Sequence, residues 1–161
     1  MTIFSIIGWS GSGKSALITG LISVFKARGR RVLALKHAPH GHTLQPEAKD
    51  TARFLEAGAD AAFLLGTNEL LRMERVADGA AGFARLCGQA GPGDVLLLEG
   101  LRPAGVPVIE VLSPSQPNGC KAEPSDRVAT VGQVPPPGEG RPHFRPDDFE
   151  AIARFMETHH E

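Results

Sequence analysis

Cysteine is scarce: Cys87 and Cys120 are the only two in 161 residues. That excludes a disulfide framework. No apolar run approaches the ~20 residues that a membrane span needs. The first seven residues are apolar, but they run straight into a glycine-rich loop, so they read as a buried strand and not as a signal peptide. The expected setting is therefore the cytoplasm. Charge shows no excess of one sign, with 17 Lys+Arg against 18 Asp+Glu, which weighs against a protein that coats nucleic acid or a membrane surface. No internal repeat is visible, and no Ser, Cys or His arrangement suggests covalent catalysis. The length suits one domain, residues 1–161, with a real core.

What is present begins with Gly8-Trp9-Ser10-Gly11-Ser12-Gly13-Lys14-Ser15. It has the spacing G-x-x-x-x-G-K-[ST] of a phosphate-binding loop. An apolar, β-favouring run, residues 3–7, precedes it. A helix pattern with Ile18, Leu21, Ile22 and Phe25 on one face follows it. Strand, glycine loop, helix is the order this chemistry needs. Glycines let the backbone curl so that successive N–H groups, from Gly8 and Ser10 through Gly11, Ser12 and Gly13, point at phosphate oxygens. The helix start adds its partial positive charge. Lys14 can reach the β- and γ-phosphates, and the Ser15 hydroxyl can ligate Mg²⁺. Without an anion, a lysine in the first turn opposes the helix dipole.

The first helix is expected over residues 14–28, with Gly29 as a left-handed cap. Residues 31–35 read as a second buried strand, parallel to the first through a right-handed crossover. A helix over 46–57 has Pro46 at its start and Gly58 at its end. Residues 61–65 and 70–74 are too close for a crossover and form an antiparallel hairpin. A third helix covers 79–90, capped by Asp78, with Cys87, Phe83 and Leu86 on an apolar face that predicts core packing. Residues 107–112 make another strand. From 113 to 146 the chain holds eight of its 13 prolines and is mostly loop, broken by one strand, 127–131. A last helix starts near Pro146, striped by Phe149, Ile152 and Met156. The fold class is α/β: a three-layer phosphate-loop NTPase domain, its sheet mostly parallel with an antiparallel hairpin.

Asp94-Val95-Leu96-Leu97-Leu98-Glu99-Gly100 is the second informative stretch. Four apolar residues delivering a carboxylate to a strand's C-terminal end match the metal-side strand of a phosphate-loop NTPase. Glu99 is thus the candidate catalytic residue, near Mg²⁺ or its waters; a buried strand ending in a surface glutamate is the bland alternative. Lys36 and His37 leave a strand at the edge where ligands bind in open α/β sheets and are candidates for phosphate contact. His37, His40 and His42 lie within six residues and could ligate Zn²⁺ or Ni²⁺, although no nearby cysteine or carboxylate completes a set. Lys49 and Arg53 share a helix face, and pairing with Asp50 or Glu56 accounts for them. Trp9 sits at an outward position of the glycine loop, where it can shield phosphates or pack on a partner.

The glycine loop, Lys36-His37, the helix with Lys49-Asp50 and Arg53 leading to Ala57-Gly58-Ala59-Asp60, then Leu98-Glu99-Gly100 and Pro107…Ile109-Glu110, together resemble the molybdopterin-guanine dinucleotide biosynthesis protein B family. The similarity runs from about residue 3 to 112, and more weakly through the final strand and helix. It implies a GTP-binding adapter of molybdenum cofactor maturation, a homodimer with weak intrinsic GTPase activity. Such a protein assists the molybdopterin guanylyltransferase that attaches GMP to molybdopterin, so molybdopterin or its guanine dinucleotide is an implied ligand, with GTP and Mg²⁺ as cofactors. Gly11, Gly13, Lys14 and Ser15 would carry the phosphates and magnesium, and Glu99 would take the metal-side position.

The N-K-x-D tetrapeptide common in guanine-reading GTPases does not occur here, and two positions depart from the family pattern. Gly132 stands where the family often has an aspartate, for which Asp126 in the preceding loop could substitute. Arg102 stands where the family usually has a lysine, which keeps the charge and changes its geometry. Two other functions fit a phosphate loop: a small-molecule kinase and a nickel-insertion metallochaperone GTPase. The first usually carries clustered arginines in a lid, whereas Arg127, Arg141 and Arg145 are spread out. The second needs a firm metal set.

Overall fold

The computed structural model describes residues 1–38, 48–113, 115, 121–138 and 140–159, without the side chains of Ala48 and Pro124. The chain divides into two compact units, Met1–His37 with Ala90–Glu161, and Ala38–Gln89.

The first unit is built on a six-stranded parallel sheet. In chain order its strands are β1 (Thr2–Ile7), β2 (Val32–Lys36), β5 (Val95–Glu99), β6 (Val108–Val111), β7 (Arg127–Val131) and β8 (His143–Phe144). In space the order is β2-β5-β1-β6-β7-β8. β1 and β5 pair in the register Phe4↔Leu97 and Ile6↔Glu99, and β2 pairs with β5 so that Lys36 faces Glu99. β1 and β5 are mostly apolar because both of their faces are covered; Leu96, Leu97 and Leu98 are fully buried, and so is Ser5.

Helix α1 (Lys14–Ala27) and helix α4 (Phe149–Thr158) pack together against one face of this sheet. Leu17, Ile18, Leu21 and Phe25 from α1 and Ile152, Ala153 and Met156 from α4 close on Phe4, Ile6, Leu97, Ile109, Ala129 and Val131. The 3.6-residue spacing of those α1 positions is the reason this segment is a helix with one buried side. Gly29 ends it in the left-handed conformation (φ 72°), its amide returning to the Lys26 carbonyl. Gly20 is the point of closest approach: a Cβ there would lie 2.4–2.6 Å from the Phe149 ring. Arg28 adds ion pairs to Glu150 and Glu157 across the same seam.

Three features of this unit differ from expectation. β2, expected as a buried strand, lies at the sheet edge, and none of its residues is fully buried. β8 is a further strand in the proline-rich stretch; Thr130 and Val131 pair with His143 and Phe144. The last helix begins at Phe149 instead of Pro146, because Asp148 turns its carboxylate back to the Arg145 amide and holds the preceding turn.

The second unit holds α2 (Ala48–Glu56), the hairpin β3 (Ala61–Leu65) and β4 (Leu70–Glu74), and α3 (Gly79–Cys87). The hairpin is a two-stranded sheet of its own, paired from Ala61↔Glu74 to Leu65↔Leu70. α2 covers it with Leu55 and Thr51, both buried like Ala62. The start of α2 expected at Pro46 lies outside the described residues, while Gly58 (φ 107°) supplies the expected stop. Asp78 caps α3 by accepting from the Ala81 amide at 2.8 Å. α3 stops at Cys87 and not near Ala90, since Gly88 follows, a residue that weakens helix continuation. No described residue of α3 is fully buried, so Cys87 is a half-buried free thiol and not part of a core. Arg53 pairs with Asp50 at 2.8 Å, the exposed-face arrangement.

Candidate functional site

The site is assembled by parity. Along a strand alternate residues share a face, so the α1 face carries Phe4 and Ile6 from β1, Leu97 and Glu99 from β5 and, by register, Lys36 from β2. The last of each series therefore emerges at the C-terminal edge, under the start of α1. Between β1 and α1 runs the glycine loop. Gly8 (φ 148°) must lack a side chain, because a Cβ would lie 2.3 Å from the Val111 carbonyl and 2.7 Å from Ser12 Oγ. Gly13 (φ 100°) occupies the left-handed conformation immediately before the helix.

This geometry leaves the helix start uncapped. Gly13 makes no side-chain cap, and no acid lies in the first turn. Leu17 N–H closes the first turn on the Gly13 carbonyl, so the amides of Gly13, Lys14, Ser15 and Ala16 have no intrahelical acceptor. Four amides, a helix dipole and Lys14 converge on one place, an arrangement suited to an anion. Lys14 Nζ donates to the Gly8 and Trp9 carbonyls at 3.1 and 2.7 Å. Burial pushes its ammonium below the ordinary lysine value; Glu99 opposes the shift, while Lys121 and Lys36 add to it.

Ser15 donates its hydroxyl to Glu99, at 3.1 Å from Oε1 and 3.0 Å from Oε2. Lys36 Nζ stands 3.0 Å from Glu99 Oε1, its side chain largely exposed. The two hard oxygen groups expected for a magnesium site are thus in contact, Ser15 from α1 and Glu99 from β5. His37 donates its amide to the Glu99 carbonyl at 2.9 Å, and its ring is exposed. His40 and His42 lie outside the described residues, and among those described no group of three His, Cys, Asp or Glu side chains forms a metal set.

Beside the loop lies a recess of about 220 Å³, lined by Ser12, Leu112, Ser113, Gly132, Gln133, Val134 and Pro146. Among the described residues the Ser12 hydroxyl is buried without a hydrogen-bond partner. Gly132 could not take an aspartate freely: its Cβ would meet Leu112 side-chain atoms at 3.1–3.5 Å. Asp126 does not replace it. That residue precedes β7, at the opposite edge of a parallel sheet, where it faces Arg102 at 3.7 Å.

Three residues received no role from the sequence. Glu110, fully buried on β6, accepts from Arg127 Nη1 at 2.7 Å and from the amides of Lys121 and Ala122. Arg127 also donates to the Ala122 carbonyl at 3.0 Å. Lys121 Nζ lies 5.9 Å from the centre of the Trp9 ring. The signal available was a charge in the middle of an apolar strand.

Sheet order, helix placement and an uncapped glycine loop define an α/β protein with a phosphate-loop-type fold. The family model for "Molybdopterin guanine dinucleotide synthesis protein B" matches residues 3–132, and the chain belongs to this MobB family. It is 33% identical over 115 residues to the "Probable molybdopterin-guanine dinucleotide biosynthesis adapter protein" of Bacillus subtilis, 69% of this chain and 65% of the relative. It is 40% identical over 62 residues to the corresponding adapter protein of Haemophilus influenzae, 38% of this chain and 35% of that one. The match therefore spans less than two thirds of the length of either curated relative. Among solved structures, the crystal structure of Bacillus subtilis MobB superposes with a TM-score of 0.71 at 25% identity, covering 98% of this chain and 97% of that one. A crystal structure of molybdopterin-guanine biosynthesis protein B gives 0.68 at 26% identity, covering 97% and 98%. Among the described residues no helix is long and apolar enough to cross a membrane.

Proposed function

We propose that this chain is a GTP-binding adapter in molybdopterin guanine dinucleotide biosynthesis. In this reading it acts in the cytoplasm and assists the guanylyltransferase that attaches GMP to molybdopterin. We read residues 1–161 as one nucleotide-binding domain, with the second unit inserted in sequence between β2 and β5. The observation that carries the reading is the uncapped start of α1, where four amides and Lys14 converge beside the Ser15–Glu99 contact. Family membership and the adapter relatives support the pathway.

In this assignment Gly8, Ser10, Gly11, Ser12 and Gly13 wrap the phosphates with backbone amides, and Lys14 leaves its two carbonyl acceptors for phosphate oxygens. Lys36 and His37 border the same edge. Ser15 and Glu99 fit a magnesium ion by their donor chemistry, both being hard oxygen groups. When bound, that ion neutralises phosphate charge. The recess beside Ser12 takes the base. Its lining, among the described residues, holds no carboxylate, so guanine recognition falls to neutral acceptors, whose hydrogen bonds are weaker than charge-assisted ones. Among the described residues only Glu99 offers a candidate for handling the attacking water, which fits slow intrinsic hydrolysis.

Equilibrium titration with GTP and ATP, with and without Mg²⁺, on the wild type and on Lys14→Ala tests this. The expected result is Mg²⁺-assisted GTP binding, a GTP preference over ATP of about tenfold, and loss of both in the variant. Binding unchanged by Lys14→Ala, or ATP bound far better than GTP, overturns it. Transfer of phosphate to a small acceptor would instead indicate a kinase. Stoichiometric Ni²⁺ binding lost on replacing His37, His40 and His42 would indicate a metallochaperone.

A further inference from the structure

We propose that Lys121 is a second phosphate-binding cation, turning from the Trp9 ring onto the terminal phosphoryl group of a bound nucleoside triphosphate. This rests on the nucleotide-binding reading above and goes beyond it in assigning the residue that separates triphosphate from diphosphate.

The argument starts from the buried pair. Glu110 and Arg127 are 1% and 4% exposed in their side chains, and taking two such charges out of water carries a large desolvation cost. Glu110 offsets part of that cost by accepting the amides of Lys121 and Ala122, while Arg127 holds the Ala122 carbonyl. The pair therefore fixes the backbone of two residues that lie outside any helix or strand. The side chain of Lys121 is exposed and aimed at the glycine loop.

At 5.9 Å from the Trp9 ring centre its ammonium has a cation–π contact, which is weak at an exposed site. Among the described residues it pairs with no carboxylate. Trp9 is also the residue whose carbonyl holds Lys14 Nζ at 2.7 Å, and in a phosphate loop that lysine serves the β- and γ-phosphates. Lys121 thus stands at the terminal-phosphate end. Its charge already bears on Lys14, whose ammonium it helps to destabilise. Among the described residues whose charges bear on Lys14, the cations Lys36 and Lys121 face one carboxylate, Glu99, an excess of positive charge that a terminal phosphoryl group would neutralise. A weak ring contact is exchanged for a charge-assisted bond, which is about twice as strong as a neutral one.

The test is calorimetric affinity for a non-hydrolysable GTP analogue and for GDP, at saturating Mg²⁺, on the wild type, Lys121→Ala, Lys121→Arg and Lys14→Ala. Lys121→Ala is expected to weaken the triphosphate analogue about tenfold and GDP less than about twofold, with only a small drop in thermal midpoint from the lost ring contact. Lys121→Arg is expected to retain most of the preference. Equal losses for the two nucleotides, or no loss, overturn the proposal while leaving the phosphate loop intact if Lys14→Ala abolishes binding. A wild type that binds neither nucleotide removes both readings.

Discussion

The hydroxyl of Ser15 and the carboxylate of Glu99 meet at 3.0–3.1 Å although 84 positions separate them. One stands in the first turn of a helix and the other ends a central strand, so rigid elements hold both. Glu99→Gln keeps an oxygen acceptor for Ser15 and removes the charge a divalent ion would require. The Mg²⁺-dependent gain in GTP affinity is expected to fall about tenfold or more in this variant, while affinity in chelator stays close to wild type. Ser15→Ala should do the same. A full Mg²⁺ effect in both variants, read by titration with and without chelator, would remove these residues from a metal site.

The direction of the Lys14 shift gives a pH dependence. Burial lowers its value below 10.5 in the folded chain, against the pull of Glu99. Between the folded and unfolded values the unfolded chain binds more protons, so this group makes stability rise with pH there. Ligand affinity runs the other way, because an anion needs the ammonium. Polyphosphate affinity is therefore expected to fall as pH climbs toward 10.5, beginning lower than for an exposed lysine, and with proton uptake on binding. Titrations across the alkaline range in two buffers of different ionisation enthalpy measure both effects. An affinity that stays flat up to pH 10.5 would contradict the assignment.

The site's outline was legible because it rests on local chemistry. Glycines at fixed offsets before Lys14, an apolar strand ahead and a periodic helix behind are all carried by adjacent residues, and Glu99 closes a run of four apolar ones. The hairpin was legible for a similar reason, a connection too short to cross over. Glu110 was not. A single charge in an apolar strand declares nothing until its partner Arg127, 17 positions on, is brought beside it. β8 escaped because two residues carry no period. Lys121 escaped because its position depends on Glu110, a long-range fact.

The buried pair should dominate the stability of this half of the sheet. Arg127→Met leaves Glu110 charged and buried, and about 3–5 kcal/mol should be lost. Replacing both, as Glu110→Leu with Arg127→Met, should recover part but not all. The apolar pair avoids the stranded charge, yet the buried amide of Ala122 loses its acceptor at about 1–3 kcal/mol, while the part-buried amide of Lys121 can turn to water. Denaturant midpoints of the three chains decide it: a double variant less stable than Arg127→Met would contradict this account.

Gly20 presents an opposition of two effects. Alanine is better than glycine inside a helix by about 1 kcal/mol. Its Cβ, however, would enter the Phe149 ring at 2.4–2.6 Å, and overpacking costs about 1–3 kcal/mol. The clash should win, so Gly20→Ala is expected to lower stability, and Phe149→Leu in the same chain to restore part of it. Thermal unfolding of the single and double variants checks this; a single variant more stable than wild type would mean the helices can move apart freely.

The hairpin leaves one face without a cover among the described residues. Phe63, Leu65 and Leu70 alternate onto it and are 53%, 79% and 63% exposed, with Arg72 lying over the Phe63 ring at 5.8 Å. Two strands alone are marginal in water, and apolar side chains this exposed and contiguous mark an interaction face. A second copy of this chain is the occupant proposed, since a two-fold interface needs only one self-complementary patch and the family resemblance implies a homodimer. Leu65 and Leu70 are cross-strand partners, so Leu65→Asp with Leu70→Asp puts two like charges side by side at its centre. Sedimentation equilibrium should show a dimer in the wild type and an affinity about thirtyfold or more weaker in the double variant. Unit 2 should stay folded, because Leu55, Ala62 and Thr51 are buried on the opposite side. A wild type that is monomeric at micromolar concentration would overturn the dimer, and a double variant that remains dimeric would place the subunit contact elsewhere.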